Sequence, residues 1–263
     1  MRPDGQEHKR NTPGRPNMIT TTKEADTLGI EIANLVKAGR LAQASAALDP
    51  ILSSKIPFRL LDRIGAHIGG GPKRETNAFL DTLARGKAMG AWPLIGSALA
   101  AHLGRDLAGA LERCREFIIL GGVWYAADTL AERVPGAALV TKFTPALAVL
   151  KSWRTDPDRW VRKSCGVAVH LWAKRARGEK RHLPKVIRLL KFLAPMFSEE
   201  DMDAVKGIGW ALKTLGRHYP DAVAPWLVRQ VGRTRSVRPL MLRKATTYLS
   251  TADRNNVYRA AYK

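Results

Sequence analysis

The sequence predicts an all-α protein, because apolar residues recur at helical spacing from about residue 23 to the end and no strand-like alternation interrupts them. A second observation is a repeat: a basic residue precedes a small one at Lys163-Ser164, Lys206-Gly207 and Lys244-Ala245, at spacings of 43 and 38 residues. Helix pairs that recur at about 40 residues are typical of HEAT-type solenoids, which offer a concave face to a long ligand. With the basic composition described below, these patterns predict an α-solenoid of HEAT-like helical repeats with a concave basic groove. A plain helical bundle is the alternative.

The chain divides into a tail and one folded domain. Residues 1–20 are rich in Pro, Gly and charged residues and show no apolar periodicity, so a disordered basic tail is predicted there. Residues 21–263 are predicted to form the solenoid domain. The N-terminus contains no apolar core of a signal peptide. Met18 is a second possible start, and the sequence does not decide between the two.

The composition excludes several classes of protein. Apolar residues make up 45% of the chain, which is enough for a sizeable core and excludes whole-chain disorder. No window approaches about 18 uninterrupted apolar residues, so no membrane span is expected. The two cysteines, Cys114 and Cys165, are too few for a disulfide framework and favour a reducing cytoplasm. The net charge of +21 favours a nucleic acid as partner over a merely soluble basic protein.

Helix boundaries follow from proline and capping residues. Pro57 is expected to open a helix that ends near His67. Asp156-Pro157 predicts an N-cap followed by a proline at the first helical position, and residues 198–201 (Ser-Glu-Glu-Asp) predict a capping box. Further helices are expected at about 73–85, 90–103, 106–119, 122–134, 141–153, 157–176, 183–195, 199–217, 220–231, 237–249 and 253–261.

Residues 205–219 separate into two faces of one helix. The apolar stripe consists of Val205, Ile208, Leu212, Leu215 and Tyr219. The second stripe, roughly 150° away, consists of Lys206, Trp210, Lys213 and Arg217. A tryptophan among three cations suits a sugar–phosphate backbone better than a dry core. Burial of Trp210 against a neighbouring helix pair is the alternative.

The helix at 157–176 shows a similar division. Its apolar face consists of Val161, Cys165, Ala168, Val169 and Trp172, and Cys165 is expected to be a small core residue. Lys163, His170 and Lys174 are expected on the opposite side. On this reading His170 is a polar surface residue rather than a catalyst.

The helix at 122–134 places an acid beside a tryptophan. Its core face consists of Val123, Ala127, Leu130 and Val134. Trp124 and Asp128, four residues apart, point the other way. A carboxylate opposes phosphate binding, and two explanations stay open. Asp128 stabilises a developing cation or orients a water, or it forms a salt bridge with a nearby Lys or Arg.

Four segments, in this order, resemble the HEAT-like-repeat alkylpurine DNA glycosylases of the AlkD type. They are Trp-Tyr-Ala-Ala-Asp-Thr-Leu at 124–130, Arg-Trp-Val-Arg-Lys at 159–163, Lys-Gly-Ile-Gly-Trp-Ala-Leu-Lys at 206–213 with Pro-Asp at 220–221, and Leu-Arg-Lys-Ala at 242–245. The resemblance covers about residues 100–249. It implies a right-handed α-solenoid that holds duplex DNA and excises purines alkylated at N3 or N7 without drawing the base into a deep pocket.

The resemblance also implies roles for individual residues. Trp124 and Trp210 would hold the deoxyribose of the damaged nucleotide, and Asp128 would face C1′. Cations on the neighbouring helices would contact the phosphates, and the expected set is Arg162, Lys163, Lys174, Lys206, Lys213, Arg217, Arg243 and Lys244. The enzyme would be a monofunctional glycosylase that acts as a monomer in the cytoplasm, associated with the nucleoid.

The sequence departs from the family pattern in three places. Lys163 stands where the family often has an arginine, and Arg162 lies beside it. Val123 and Tyr125 replace residues that are often Trp and Asp. An aromatic residue from the N-terminal helices is not evident, so the range of lesions stays open.

No metal or cofactor is expected. The six His and two Cys are scattered and lack metal-site spacing, and the glycines at 69–71 resemble a loop rather than a nucleotide-binding turn. Two other functions remain alternatives: a non-catalytic protein that binds damaged, bent or branched DNA, and a HEAT scaffold for RNA or an acidic protein.

Overall fold

A computed structural model describes residues 19–234 and 236–262. Within these ranges the chain forms helices joined by short connections, without any strand. The all-α prediction is therefore confirmed. The predicted disordered tail at 1–20 falls almost entirely on residues outside the described ranges, and the same holds for Met18.

The helices stack in two layers. The inner layer consists of α1 (Thr22–Lys37), α3 (Phe58–Gly69), α5 (Ala91–His102), α7 (Trp124–Ala131) with α8 (Ala137–Thr141), α10 (Arg159–Ala176), α12 (Met202–His218) and α14 (Pro239–Ala245). The outer layer consists of α2 (Leu41–Leu52), α4 (Lys73–Gly86), α6 (Leu107–Gly121), α9 (Phe143–Trp153), α11 (Leu183–Leu193), α13 (Pro220–Val231) and α15 (Thr251–Ala261). Each inner helix contacts the next inner helix along the chain. Successive repeats therefore bury one continuous core, and the solenoid prediction is confirmed.

Glycines allow neighbouring inner helices to approach closely. Gly65 of α3 lies against the backbone of Leu94 in α5, and Gly166 of α10 lies against Gly207 of α12. A Cβ on Gly166 would collide with the backbone carbonyl of Gly207, so this crossing requires glycine. The residues that form the sequence repeat therefore lie at the contacts between successive inner helices. Such close spacing is the geometry expected on the concave side of a curved stack.

A π-helical turn interrupts the inner helix that begins at Trp124. It spans Glu132–Gly136 and joins α7 to α8. Pro135 has no backbone N–H and cannot continue the regular α-helical pattern, which accounts for the wider turn at this point. The helix predicted at 122–134 therefore extends to Thr141, and the next one begins at Phe143.

Two predicted helix starts are wrong by a few residues. α10 begins after Asp158, whose carboxylate accepts from the N–H groups of Trp160 and Val161, rather than at Asp156-Pro157. α12 begins after Asp201, and the expected capping box at 198–201 does not form. The reason is that Asp201 is itself the N-cap, with its carboxylate accepting from the N–H groups of Asp203 and Ala204. At the other end, α14 stops at Ala245, shorter than the predicted 237–249.

The apolar faces of α10 and α12 are buried as predicted, including Cys165 and Trp172. His170 is also buried, so its prediction as a surface residue is wrong. The reason is the position of α10, which is flanked by α7 on one side and by α12 on the other. A helix in this layer buries residues on both flanks as well as on its core face. In the described residues no helix is both long and apolar enough to cross a bilayer.

Candidate active-site cleft

A cleft of about 510 Å³ opens on the inner layer where α7, α10, α12 and α14 meet. Its walls carry two indoles, two carboxylates and four lysines. The residues are Trp124, Asp128, Lys163, Asp203, Lys206, Trp210, Lys213 and Lys244. The three side chains to which the resemblance assigns the chemistry therefore line one cleft, although they come from α7 and α12, which are separated in the layer by α10.

Asp128 is paired with a lysine that is almost fully buried and that also lines the cleft. The Lys163 Nζ atom lies 2.8 Å from Asp128 Oδ1, and the lysine side chain is only 6% exposed. The two groups form an ion pair, and the Oδ1 atom in it is buried. The Asp128 side chain as a whole is 23% exposed. Because Oδ1 is buried and the side chain lines the cleft, Oδ2 is the carboxylate oxygen left to face it.

Burial raises the pKa of Asp128 above that of an ordinary aspartate. The nearby Lys163 ammonium opposes this effect, and the Asp203 carboxylate adds to it. Desolvation is the largest of these influences. Asp128 is therefore a carboxylate that is held in place and poorly solvated, which makes it responsive to positive charge that develops nearby.

Trp124 begins α7 and is 61% exposed, an unusual exposure for an indole. Its edge meets the Tyr125 ring at a centroid distance of 5.8 Å. Because Asp128 lies one helical turn further along α7, the indole and the carboxylate point to the same side. An exposed aromatic face beside a carboxylate is suited to a ligand that carries positive charge.

Trp210 has a more rigid setting. Its ring stacks on that of His170 from α10, with a centroid distance of 3.9 Å and an angle of 23° between the planes. His170 Nδ1 lies 2.7 Å from the Thr214 hydroxyl, and burial lowers the pKa of His170 to about 4. Its imidazole is therefore neutral at pH 7 and supports the indole without adding charge. Trp210 is half-buried, between the exposed position predicted for it and the buried alternative.

Three further lysines line the cleft beside Trp210. Lys206 forms an ion pair with Asp203 at 3.0 Å, and the Lys213 ammonium lies 5.2 Å from the centre of the Tyr248 ring. Lys244 has no carboxylate partner among the described residues. Burial, and then the charge of Lys213, lowers its pKa. The cleft thus gathers more positive charge than its two aspartates neutralise.

Four predicted DNA-binding residues do not line the cleft. Arg162 points away from it, toward Glu199 at 2.7 Å and the backbone carbonyl of Asp156. Lys174 and Arg243 are exposed, the former one turn beyond His170 on α10 and the latter next to Lys244 on α14. Arg217 is exposed near the cleft, with its guanidinium 5.1 Å from the centre of the Tyr248 ring.

Sequence reasoning missed several residues at the cleft. Asp203 lines the cleft, and His170 stacks on the Trp210 ring. Tyr248 lies at the edge of the cleft, where Lys213 and Arg217 contact its ring. The spacing of Asp203 from Trp210, seven residues or two helical turns, was a signal that could have placed the carboxylate on the same face. Tyr248 follows α14 in a non-helical turn, and no periodic pattern identifies such a residue.

The N-terminal part of the inner layer carries charges of a different kind. Asp26 of α1 accepts hydrogen bonds from Arg63 and lies 2.9 Å from His67 Nε2, both of α3. Asp62 of α3 accepts from Arg133 Nε at 2.5 Å and from the Ser97 hydroxyl at 2.8 Å. Across the described residues, no group of three or more His, Cys, Asp or Glu is arranged to hold a metal ion.

A known protein family matches the part of the chain that forms the cleft. The sequence model of a family described as DNA alkylation repair enzyme matches residues 70–249, which include every inner helix that lines the cleft. No similar sequence was found among curated proteins. Since the match covers more than half of the chain, the protein belongs to the DNA alkylation repair enzyme family.

Proposed function

We propose that the protein is a DNA glycosylase that hydrolyses the N-glycosidic bond of purines alkylated at N3 or N7 in duplex DNA. The observation that carries the proposal is the convergence of Trp124, Asp128 and Trp210 in one lysine-lined cleft. Family membership supports a role in the repair of alkylation damage, and the chemistry of the cleft narrows this role to the base-release step.

The leaving group explains why these residues suffice. A purine alkylated at N3 or N7 carries positive charge, so it departs with the bonding electron pair and needs no general acid. The sugar then develops oxocarbenium character at C1′. The Oδ2 atom of Asp128 faces the cleft and stabilises that cation, and it accepts the proton of the attacking water. Neither a metal nor a small-molecule cofactor enters this step, which is that of a monofunctional glycosylase.

The two indoles position the sugar. Trp124 presents an exposed face on α7, and Trp210 is supported by His170 on the opposite wall. Aromatic faces attract a cationic sugar more strongly than a neutral one, so they favour the transition state over the ground state. The cleft is open to solvent, so the lesion base need not enter a closed pocket.

Lysines around the cleft would hold the phosphates on either side of the lesion. Lys206, Lys213 and Lys244 lie at its walls, and Lys174, Arg217 and Arg243 are exposed on the same inner helices. Ammonium and guanidinium groups of this kind bind the backbone without reading sequence. We propose that the protein acts on duplex DNA as a monomer, because the residues assigned to the reaction all come from one chain.

The test is release of alkylated purines from methylated duplex DNA, measured by separation of the free bases. Asp128→Asn is expected to lower single-turnover release about 100-fold or more, because it removes the negative charge that faces the cation. Binding to the same DNA should be retained. Asp203→Asn is the matched control: Asp203 lies in the same cleft but comes from α12 and is not the carboxylate proposed to face C1′, so a much smaller effect is expected.

A second function is favoured by one observation. The sequence left open that Asp128 forms a salt bridge instead of taking part in chemistry. The structure contains such a salt bridge, so the carboxylate has a structural partner in Lys163. If the pair is only structural, the protein recognises damaged DNA without chemistry. Tight binding to methylated DNA with no base release from several lesions would support that function. Equal release by wild type and Asp128→Asn would remove the catalytic role.

A further inference from the structure

The product of the proposed reaction is itself reactive. An abasic deoxyribose opens its ring to expose an aldehyde at C1′, and a primary amine held near that carbon condenses with it. The inference that follows rests on the proposed function for the placement of C1′ in the cleft. Its test uses DNA that already contains an abasic site, so it does not depend on base release.

Lys163 provides such an amine at the required position. Its Nζ atom is 2.8 Å from Asp128 Oδ1, and both side chains line the same cleft. Because Lys163 itself lines the cleft next to Asp128, its amine lies on the same side as the carbon that Asp128 is proposed to face. The lysine side chain is buried along its length, so its amine is held near Asp128 instead of sampling solvent.

We propose that Lys163 forms a Schiff base with the C1′ aldehyde of an abasic site, which makes the protein an abasic-site lyase as well as a glycosylase. The resemblance to monofunctional enzymes does not imply this second activity. The activity depends on a lysine at this position, because a guanidinium does not form such an adduct.

The reaction balances without an added oxidant or metal. The Nζ lone pair adds to C1′, the carbinolamine loses water, and a protonated imine forms. A base removes a proton from C2′, the C3′–O bond breaks, and the 3′ phosphate leaves with its electron pair. Hydrolysis of the imine then frees Lys163 and leaves an unsaturated aldehyde on the cut strand.

Asp128 lies close enough to Lys163 to accept the proton that the amine must lose. Lys163 must lose one proton before its nitrogen attacks, and the nearest acceptor is the Oδ1 atom at 2.8 Å. Burial already raises the pKa of Asp128, so this carboxyl accepts a proton more readily than an exposed one.

The other lysines of the cleft are less suitable. Lys206 is exposed and paired with Asp203, and Lys213 lies over the Tyr248 ring at the edge. Lys244 comes from α14, with its aliphatic part packed against Gly209 of α12. No contact joins any of the three to Asp128 in the way that Lys163 is joined to it.

The experiment uses the full chain and duplex DNA with one preformed abasic site. Wild-type protein with sodium borohydride is expected to give a covalent protein–DNA complex, and without borohydride the strand should be nicked by β-elimination. Lys163→Arg is expected to abolish both, since it keeps the positive charge beside Asp128 but not the nucleophile. Lys151→Arg changes an exposed lysine of the outer helix α9, and this variant should form the covalent protein–DNA complex as the wild type does.

Peptide mapping of the reduced adduct identifies the lysine directly. An adduct on Lys163 supports the proposal, and an adduct on any other lysine overturns it. Absence of trapping by a wild-type protein that binds abasic DNA also overturns it. Thermal unfolding and abasic-DNA binding of Lys163→Arg show whether the variant is folded. Trapping at Lys163 without release of any alkylated base would contradict the glycosylase proposal and leave the lyase proposal standing.

Discussion

The two halves of the inner layer share one architecture but differ in how their charges are used. In the N-terminal half, Asp26 is matched by Arg63 and His67, and Asp62 by Arg133. In the C-terminal half, four lysines share a cleft with two aspartates. The first arrangement joins one repeat to the next. The second leaves cations without internal partners, as a surface that binds a polyanion requires.

Two carboxylates show the same contrast. Hydrogen bonds from Arg63 and His67 lower the pKa of Asp26 to about 2, whereas burial raises the pKa of Asp128. Both lie on inner helices close to a cation. The difference is that Asp26 lies near solvent with two hydrogen-bonding partners, while desolvation outweighs the single lysine partner of Asp128. A poorly solvated carboxylate is the one that can respond to a developing cation.

The largest expected effect comes from changing the spacing of α10 and α12. Gly166→Ala places a Cβ against the Gly207 backbone and should lower the free energy of unfolding by about 1–3 kcal/mol. Because the crossing sets the distance between Asp128 and Trp210, base release should fall about 100-fold even where the protein is folded. Gly86→Ala at the end of α4 meets nothing within 4 Å and should change neither quantity. Urea unfolding and single-turnover kinetics measure both, and equal behaviour of the two variants would contradict the argument.

The next largest effect is on the pH dependence of base release, because Asp128 and Asp26 become protonated at different pH values. A raised pKa means that Asp128 becomes protonated at a higher pH than an ordinary aspartate, so base release should be lost on acidification by about tenfold per unit below that point. The groups that face it are Lys163, Asp203 and the remaining lysines of the cleft. Asp26 remains ionised in this range, so its ion pair with Arg63 persists and the fold should be retained, as circular dichroism would show. A rate that stays constant down to pH about 3.9, where an ordinary aspartate titrates, would contradict the assignment.

The smallest expected effect is on DNA binding, when a single cation is removed from one half or the other. Lys244→Ala should weaken DNA binding several-fold and reduce the slope of log affinity against log salt by about 0.9, the value for one lost phosphate contact. Arg63→Ala removes a cation already paired with Asp26, so the slope should not change. Fluorescence anisotropy across a salt series measures both. The same slope change in both variants would mean that binding follows total charge rather than the cleft.

The sequence predicted the solenoid because its apolar spacing and repeat directly reflect the packing of helices. The apolar stripe of α12 is buried, and the basic-small pairs lie at the contacts between inner helices. The predicted helix starts were less accurate near residues 156 and 199, where several neighbouring acidic residues could serve as the N-cap. Asp156 and Glu199 pair with Arg115 and Arg162, which leaves Asp158 and Asp201 to cap the helices.

Side chains that act between helices were the hardest to predict. A single-helix projection placed His170 and Lys163 on a polar surface, although α7 and α12 cover them on either side. The ion pair between Lys163 and Asp128 joins residues 35 positions apart, so no local pattern reveals it. The roles of Asp128, Trp124 and Trp210 come from the resemblance and stay predictions, as does the DNA-binding set.

The different settings of the two indoles have a consequence for lesion size. Trp210 is held in place because the His170 ring stacks on it, whereas Trp124 is exposed and has few neighbours. A wider adduct would displace only the Trp124 side chain, and ordering that side chain in a new position costs about 0.5–1.5 kcal/mol. If the two indoles hold the sugar as proposed, we expect substituents of different width on the base to be accepted while the sugar keeps one position.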